Sequence, residues 1–224
     1  MTSKIVALLP MKLHSERVKN KNFKKLANKK LYQWILDSLL EVKEIDLIVI
    51  NTDARELLEK DGYLNSKRVI IRDRVQNLCG DFVSMNKIIE DDLANIESDH
   101  FIMTHTTNPL ISPETIKNAY KNYINNLDVH DSLFTVNKIQ TRFYSEGAIP
   151  INHDPDNLKR TQDIEPWYEE NSCLYFFNKS SFDKTKSRIG IDPQMFVTPS
   201  LESVDIDEVS DWVLAESLAL NHTR

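Results

Sequence analysis

The chain has 224 residues, of which 41% are apolar, and a formal net charge of −6. This length favours a single domain, residues 1–224, with enough apolar material for a core. This net negative charge argues against a general nucleic-acid-binding protein, because such proteins are usually basic. The two cysteines, Cys79 and Cys173, have no disulfide framework or zinc spacing, and the N-terminal apolar run at 5–9 is too short for a signal peptide or a membrane span. We therefore expect a cytoplasmic protein with no nucleic-acid or membrane partner.

The predicted elements alternate between short apolar strands and helices with apolar residues at helical spacing. Strands are expected at 4–10, 47–50, 68–72, 101–103, 133–136, 173–177, 194–199 and 203–206. Helices are expected at 31–43, at 54–60, at 85–96 with Ser84 as N-cap, after Ser112-Pro113, and at 208–220. This alternation predicts an α/β fold with a Rossmann-like, mainly parallel sheet flanked by helices.

Residues 139–170 interrupt the alternation. They show no helical period and are rich in polar and aromatic side chains, including Phe143, Tyr144, Trp167 and Tyr168. A stretch of this length without regular structure is uncommon in a compact domain unless it is functional or contacts a partner. Because aromatic residues are enriched in interface cores, we predict that this segment is an inserted dimerisation arm and that the protein is a homodimer.

The first predicted strand leads into a basic loop at residues 11–22. The loop holds one acidic residue, Glu16, and five basic ones: Lys12, His14, Arg17, Lys19 and Lys21. Ligands of open α/β sheets bind where the strands end, and Lys and Arg side chains donate charge-assisted hydrogen bonds to phosphate oxygens. By composition alone, the loop fits either an anion site or an ordinary solvated loop. With only four glycines in the chain, it is not a glycine-rich phosphate loop.

The order of residues in this loop resembles the acylneuraminate cytidylyltransferases (CMP-sialic acid synthetases) and relatives that act on other acidic sugars. Their pattern is P-A-R-x-G-S-K-R-x-P-x-K-N, with which the chain aligns without a gap. The matching residues are Pro10, Ser15, Arg17, Lys21 and Asn22, and Lys12 replaces the arginine. The departures are Leu13 and His14 in place of glycines, Glu16 in place of a lysine and Lys19 in place of a proline.

The segment 104–110 resembles the family motif L-Q-P-T-S-P-L. Thr107, Pro109 and Leu110 match, and His105 replaces the glutamine. In the family this turn lines the pocket for the acceptor sugar, so the resemblance implies acceptor contacts for three residues: His105, Thr106 and Thr107. A strand-to-helix turn capped by Ser112 explains the same residues without any ligand.

The segment 204–212 resembles the family motif I-D-I-D-T-x-x-D. In an extended segment, residues two apart point to the same face, so Asp205 and Asp207 can converge on one cation. Magnesium prefers one or two carboxylates together with substrate phosphates. The alternative is that Asp207 only caps the last helix.

Shorter matches extend the resemblance. Arg72, followed by residues 78–81, resembles R-P-x-x-L-A-x-D, which walls the nucleotide base and implies contacts from Cys79, Gly80 and Asp81. Asn171 matches the asparagine of P-N-G-A-I-Y, which faces the acceptor. Arg142 lies about where the family places a basic residue that reaches the site of a neighbouring subunit.

The resemblance implies a Mg²⁺-dependent reaction of CTP with an acidic 2-keto-3-deoxy sugar, which gives a CMP-sugar and pyrophosphate. The implied triphosphate ligands are Lys12, Ser15, Arg17 and Lys21; the implied ribose and base contacts are Asn22, Arg72, Cys79, Gly80 and Asp81; the implied magnesium ligands are Asp205 and Asp207. Lys21, Arg17 and Asp207 are the implied catalytic residues. Two alternatives are cytidylyl transfer to a different acidic or phosphorylated acceptor, and nucleotide binding without catalysis.

Glu16 is the departure that conflicts most with phosphate binding. A carboxylate about 4 Å from a phosphate charge costs roughly 4 kcal/mol at an effective dielectric constant of about 20. We therefore expect Glu16 to point away from the triphosphate. The substitution Glu16→Lys is then expected to tighten CTP binding by much less than that full electrostatic term.

Overall fold

The computed structural model describes residues 4–15, 17–62 and 67–221. In chain order, the strands are β1 (Ile5–Leu8), β2 (Lys25–Leu26), β3 (Lys29–Lys30), β4 (Leu47–Thr52), β5 (Val69–Asp73), β6 (His100–Thr104), β7 (Ser132–Ile139), β8 (Tyr144–Ser145), β9 (Ile149–Pro150), β10 (Trp167–Phe177) and β11 (Pro193–Val197). The helices are α1 (Leu31–Glu41), α2 (Arg55–Lys60), α3 (Met85–Asn95), α4 (Pro113–Asn125), α5 (Lys179–Thr185) and α6 (Val209–Asn221). No helix in this part of the chain is both long and apolar enough to cross a bilayer.

The main sheet has seven strands in the order β11-β7-β10-β6-β1-β4-β5. Neighbouring strands are parallel except around β10, which is antiparallel to both β6 and β7. The first strand is buried on both faces: Ile5 and Ala7 belong to one core cluster, and Val6 and Leu8 belong to the other. Burial on both faces explains why its sequence is continuously apolar. The predicted mainly parallel α/β fold is therefore confirmed.

The order of strands creates a crevice beside β1. From β1 the chain continues to β4 and β5 on one side, and then crosses back to β6 on the other side. Leu8 is in register with Val49 of β4 and with Met103 of β6, so the loops after these three strands begin at the same edge of the sheet. Such a reversal in strand order is where open α/β sheets bind ligands.

The C-terminal helix closes this edge of the sheet from one side. Trp212 and Ala215 of α6 share a core cluster with Leu31 and Trp34 of α1. Ile206, just before the helix, is fully buried in the same cluster, and its backbone N–H donates to the carbonyl of Thr107 at 2.8 Å. This packing brings the segment with the two predicted aspartates to the loop that follows β6.

Several predicted boundaries are corrected. Residues 203–206 form no strand. Among the described residues, this segment makes one backbone hydrogen bond to the sheet region, from the Ile206 N–H to the Thr107 carbonyl, and no ladder. The helix α5 was not predicted, because it is short and depends on its N-terminal cap, in which the Asn178 side chain accepts from the Ser181 N–H at 2.8 Å. Ser84 occupies the N-cap position of α3 without a side-chain capping bond, whereas Ser112 caps α4 through the Thr115 N–H.

The irregular segment is shorter than predicted. β7 continues to Ile139 and β10 starts at Trp167, and these two residues are paired in the antiparallel ladder. The irregular part is therefore 140–166, which contains the small β8–β9 hairpin and a 3₁₀ turn at Thr161–Asp163. Trp167 stacks on Phe143 with ring centroids 5.0 Å apart, which ties the segment to the end of the sheet.

Candidate active site

Two adjoining cavities, of about 230 and 270 Å³, lie at the carboxyl ends of β1 and β6. They share four lining residues: Lys12, Ser15, Lys21 and Asp81. The first cavity is also lined by Asn22, Arg74, Gly80, His105, Thr106 and Thr107, and the second by Arg17, Val18 and Asp207. Most residues that the sequence predicted for the site therefore meet in one continuous cleft.

Asn22 joins the loop after β1 to the loop after β6. Its side chain is buried, its Nδ2 donates to the carbonyl of Lys12 at 2.7 Å, and its Oδ1 accepts from the Thr106 hydroxyl at 2.6 Å. Asn20, two residues earlier, has φ of 52°, a left-handed conformation that asparagine adopts more readily than most residues. These contacts hold the basic loop over the crevice although its usual glycines are absent.

Lys21 and Arg17 both face Asp207. Arg17 Nη1 lies 3.3 Å from Asp207 Oδ2, and Lys21 Nζ lies 3.6 Å from Asp207 Oδ1 and donates to the carbonyl of Ile206. The Lys21 side chain is only 12% exposed. Burial lowers the pKa of Lys21, and the charges of Asp207 and Asp205 act in the opposite direction. The three predicted catalytic residues therefore form one charged cluster.

Asp205 lies beside this cluster. Burial raises the pKa of Asp205, and a hydrogen bond with the Thr107 side chain opposes that shift, while the charge of Asp207 adds to it. The Asp207 carboxylate is thus close enough for its charge to act on Asp205.

Asp211, in the first turn of α6, binds the backbone that leads into the helix. Asp211 Oδ2 accepts from the backbone N–H of Asp207 at 3.0 Å and from that of Glu208 at 2.8 Å. Within the described residues, no backbone N–H donates to the Asp207 carboxylate, which instead faces Arg17 and Lys21. The interpretation of Asp207 as a helix cap is therefore wrong.

The segment after β5 forms the opposite wall of the cleft. Asp81 forms an ion pair with Lys12, and Gly80 has φ of 113°, a conformation that favours glycine. Cys79 does not line the cleft. It lines a neighbouring cavity, and its thiol contacts the carbonyls of Arg74 and Val75.

Arg72, predicted to contact the nucleotide, points away from the cleft. It forms ion pairs with Asp91 and with the fully buried Asp92, both on α3. The cleft is lined instead by Arg74, whose Nε donates to Asn51 Oδ1 at 2.9 Å and whose Nη2 donates to the Asn51 carbonyl at 2.8 Å. Arg72 lies within β5 (Val69–Asp73), whereas Arg74 follows the end of the strand. The predicted alignment of the arginine was therefore shifted by two residues. The family pattern places its arginine four residues before the leucine, and Arg74 is four residues before Leu78.

His105, Thr106 and Thr107 line the cleft on the side of β6. Thr106 is buried and donates to Asn22, while Thr107 contacts the segment before α6 through both its carbonyl and its side chain. Burial, together with the nearby charges of Arg188 and Lys21, lowers the pKa of His105 to about 3. The imidazole is therefore neutral at physiological pH.

Two predicted acceptor contacts lie outside the cleft. Asn171 is buried, and its Nδ2 donates to Asn137 Oδ1 at 3.0 Å and to Thr198 Oγ1 at 2.6 Å. Both of its amide hydrogens are therefore used in holding strands together. Arg142 Nη2 donates to the carbonyl of Lys159 at 2.6 Å, within the irregular segment. The predicted reach of Arg142 into a neighbouring subunit stays a prediction, and Glu16 lies outside the described residues.

Comparisons with known proteins give consistent results. The chain matches the family described as cytidylyltransferase over residues 6–218. It is 25% identical over 98% of both chains to pseudaminic acid cytidylyltransferase of Campylobacter jejuni subsp. jejuni serotype O:2. It is also 24% identical over 96% of both chains to CMP-N,N'-diacetyllegionaminic acid synthase of Legionella pneumophila subsp. pneumophila.

Solved structures show the same fold at lower sequence identity. One is CMP:2-keto-3-deoxy-manno-octonic acid synthetase complexed with CTP, with a TM-score of 0.68, 13% identity, and 97% of this chain and 99% of that chain covered. Another is 4-diphosphocytidyl-2C-methyl-D-erythritol synthase from Anaerococcus prevotii, with a TM-score of 0.67, 13% identity, and coverage of 98% and 97%. Together with the match over residues 6–218, the fold and the charged cleft lead to one conclusion: the chain belongs to the cytidylyltransferase family.

Proposed function

We propose that the protein transfers the cytidylyl group of CTP to an acidic 2-keto-3-deoxy sugar, with release of pyrophosphate. The observation that carries this proposal is the meeting of Arg17 and Lys21 with Asp207 in a cleft at the reversal in strand order. A solvated basic loop requires no such convergence of distant segments. The relatives named for pseudaminic and legionaminic acid cytidylyl transfer support an acidic sugar as the acceptor.

The charges of the cleft suit a triphosphate. Lys12 is paired with Asp81, and Arg17 with Asp207, so the cations already have anionic partners that a phosphate oxygen can replace. Lys21 adds a nearly buried cation. Because charge-assisted hydrogen bonds to phosphate are strong, these cations are the proposed ligands of the triphosphate. Arg74, Gly80 and Asp81 are the proposed contacts of the ribose and base.

We also propose that Asp205 and Asp207 hold Mg²⁺. The described residues contain no group of three or more His, Cys, Asp or Glu side chains that could hold a metal ion. Proteins commonly hold Mg²⁺ with one or two carboxylates, while phosphate oxygens and water complete its coordination shell. Two aspartates without a third protein ligand fit this arrangement. Bound Mg²⁺ supplies Lewis-acid stabilisation of the negative charge that develops on the phosphoryl oxygens.

The reaction proceeds by displacement at the α-phosphorus. The anomeric hydroxyl oxygen of the sugar forms a bond to this phosphorus, the bond to the bridging oxygen breaks, pyrophosphate leaves, and the hydroxyl proton passes to solvent. Such a transfer depends mainly on positioning and on neutralisation of charge. Arg17 and Lys21 neutralise the triphosphate, while His105 and Thr107 contact the acceptor.

We further propose that the protein is a cytoplasmic homodimer. The irregular segment 140–166 and the start of β10 carry exposed apolar side chains: Tyr144, Ile149, Ile151, Leu158, Trp167 and Tyr168. A concentration of exposed apolar residues in one segment is typical of an interaction surface. Both cysteines are free thiols, which agrees with a reducing compartment.

Purified protein incubated with CTP, Mg²⁺ and a panel of 2-keto-3-deoxy sugar acids tests the proposed function. We expect equal amounts of pyrophosphate and CMP-sugar with at least one of these acids. Phosphorylated sugars and other acids in the same panel test the alternative acceptors. Calorimetric binding of CTP with no pyrophosphate from any acceptor would support the alternative of nucleotide binding without catalysis.

A further inference from the structure

The guanidinium of Arg188 is held against His105. Arg188 lies in the loop after α5, and its Nη1 is 3.4 Å from His105 Nε2. Its Cζ lies 3.9 Å from the centroid of the Tyr175 ring, and its Nη2 donates to the Tyr175 hydroxyl at 3.0 Å. Glu170 Oε1 lies 3.6 Å from the same Nη2 and also accepts from the Tyr175 hydroxyl. The guanidinium is therefore fixed both by stacking and by an anionic partner.

This contact determines which ring nitrogen of His105 carries the proton. A guanidinium only donates hydrogen bonds, so Nε2 of His105 must accept. A neutral imidazole has one donor and one acceptor, and the low pKa of His105 keeps the ring neutral. The proton therefore resides on Nδ1.

The Nδ1–H group is available to a ligand. His105 lines the cleft next to Thr106 and Thr107, and none of the described residues is found to accept a hydrogen bond from its Nδ1. A glutamine, which the resembled family has at this position, also presents an N–H donor on its side chain. The two residue types thus share a neutral donor, although their shapes differ.

We propose that Arg188 is a positioning residue that fixes His105 as the Nδ1–H tautomer, and that this N–H donates to an oxygen of the bound sugar acid. This inference rests on the proposed function for the identity of the ligand, but the tautomer is a property of the protein alone. An acceptor lacking that oxygen would leave the N–H unpaired in the cleft, so the contact also contributes to the choice of acceptor.

Nitrogen-15 NMR of the ligand-free protein labelled at histidine tests the tautomer, because protonated and unprotonated ring nitrogens have distinct chemical shifts. We expect Nδ1 to be protonated and Nε2 unprotonated in the wild-type protein at neutral pH. In Arg188→Met, the shifts should move toward a mixture of the two tautomers. Lys186→Met is the matched control: it removes a cation from the same loop that pairs with Glu90 and Asp183, and it should leave the His105 shifts unchanged.

Steady-state kinetics test the role in acceptor binding. Arg188→Met should raise the KM of the acceptor by a few-fold, because only the fraction of His105 in the Nδ1–H tautomer can donate, with little change in the KM of CTP. In a His105→Gln background, which keeps an N–H donor but has no tautomer to fix, Arg188→Met should have little further effect on the KM of the acceptor. An equal effect of Arg188→Met in both backgrounds would show that Arg188 acts independently of His105.

The measurements separate failure of this inference from failure of the proposed function. A protonated Nε2 in the wild-type protein overturns the tautomer assignment whether or not any variant folds. If no sugar acid is converted but Nδ1 is protonated, the proposed acceptor is wrong and the positioning of His105 by Arg188 stands.

Discussion

The guanidinium of Arg17 lies 3.3 Å from the carboxylate of Asp207, which joins the first loop of the chain to the segment before its last helix. Neutralising this carboxylate tests its proposed role as a magnesium ligand. We expect Asp207→Asn to lower kcat/KM on the order of a hundredfold or more, because stabilisation by a bound metal is worth several kcal/mol. The unfolding temperature should change little, since the Arg17–Asp207 pair is about half-exposed and Lys21 keeps its hydrogen bond to the Ile206 carbonyl.

Glu208→Gln is the matched control for Asp207→Asn. It neutralises the adjacent carboxylate, which is exposed and lines neither cavity. Its activity should be close to that of the wild-type protein over a titration of Mg²⁺. A fully active Asp207→Asn protein would contradict the proposed magnesium site.

Two nearby arginines are expected to have different roles. Arg72→Met leaves Asp91 and Asp92 without their cation, so it should lower the free energy of unfolding by about 3–5 kcal/mol, the usual effect of removing one partner of a buried ion pair. Arg74→Lys keeps the charge but loses the forked geometry, and should mainly raise the KM of CTP. Urea denaturation and CTP titration of both variants check this difference. A raised KM in folded Arg72→Met with normal stability would restore Arg72 to the nucleotide site.

Light scattering tests the homodimer. We expect a mass twice that of a single chain, independent of the presence of CTP. Ile149→Asp, at a 61% exposed position in the β8–β9 hairpin, should weaken association because it places a charge in the proposed interface. Leu220→Asp, at a 67% exposed position on α6, is the control and should leave the mass unchanged. A single-chain mass for the wild-type protein at all concentrations would contradict this proposal.

Asp211 gives a prediction for acid stability. Hydrogen bonds from the backbone N–H groups of Glu208 and Asp207 lower the pKa of Asp211 below its ordinary value of 3.8. A lowered pKa stabilises the folded state fully above pH 3.8, and this contribution is lost as pH falls through the lower pKa of the folded protein. Asp211→Ala should therefore lower the free energy of unfolding by about 1 kcal/mol at neutral pH, the scale of a net hydrogen bond. Urea denaturation between neutral and acid pH should show this difference shrinking at the acid end, and a constant difference would contradict it.

The sequence correctly predicts the position of residues that directly follow the strand ends. Lys12, Arg17 and Lys21 follow β1, and Thr106 follows β6, so a correct strand assignment also places these residues at one edge of the sheet. Asp207 was predicted instead from the resemblance of residues 204–212 to a family motif.

The sequence did not reveal contacts that depend on pairing between distant strands. Arg188 reaches His105 because β10 runs antiparallel to β6, with Tyr175 in register with Met103. Alternation of strands and helices alone indicates parallel neighbours, so it could not predict this arrangement. Asn171 was misassigned for a similar reason: its partners, Asn137 and Thr198, lie on segments whose proximity only the folded sheet establishes.

The packing of α6 on α1 has a consequence for synthesis of the protein. Asp205 and Asp207 are positioned by a helix that ends at Asn221, whereas their basic partners lie in the first loop. Contacts between segments so distant in the chain require a large loop to close and form late in folding. The acidic half of the cleft is thus completed only after residues 205–221 have been synthesised and have packed on α1. Unfinished chains are therefore expected to carry the basic loop without the ability to bind nucleotide and metal together.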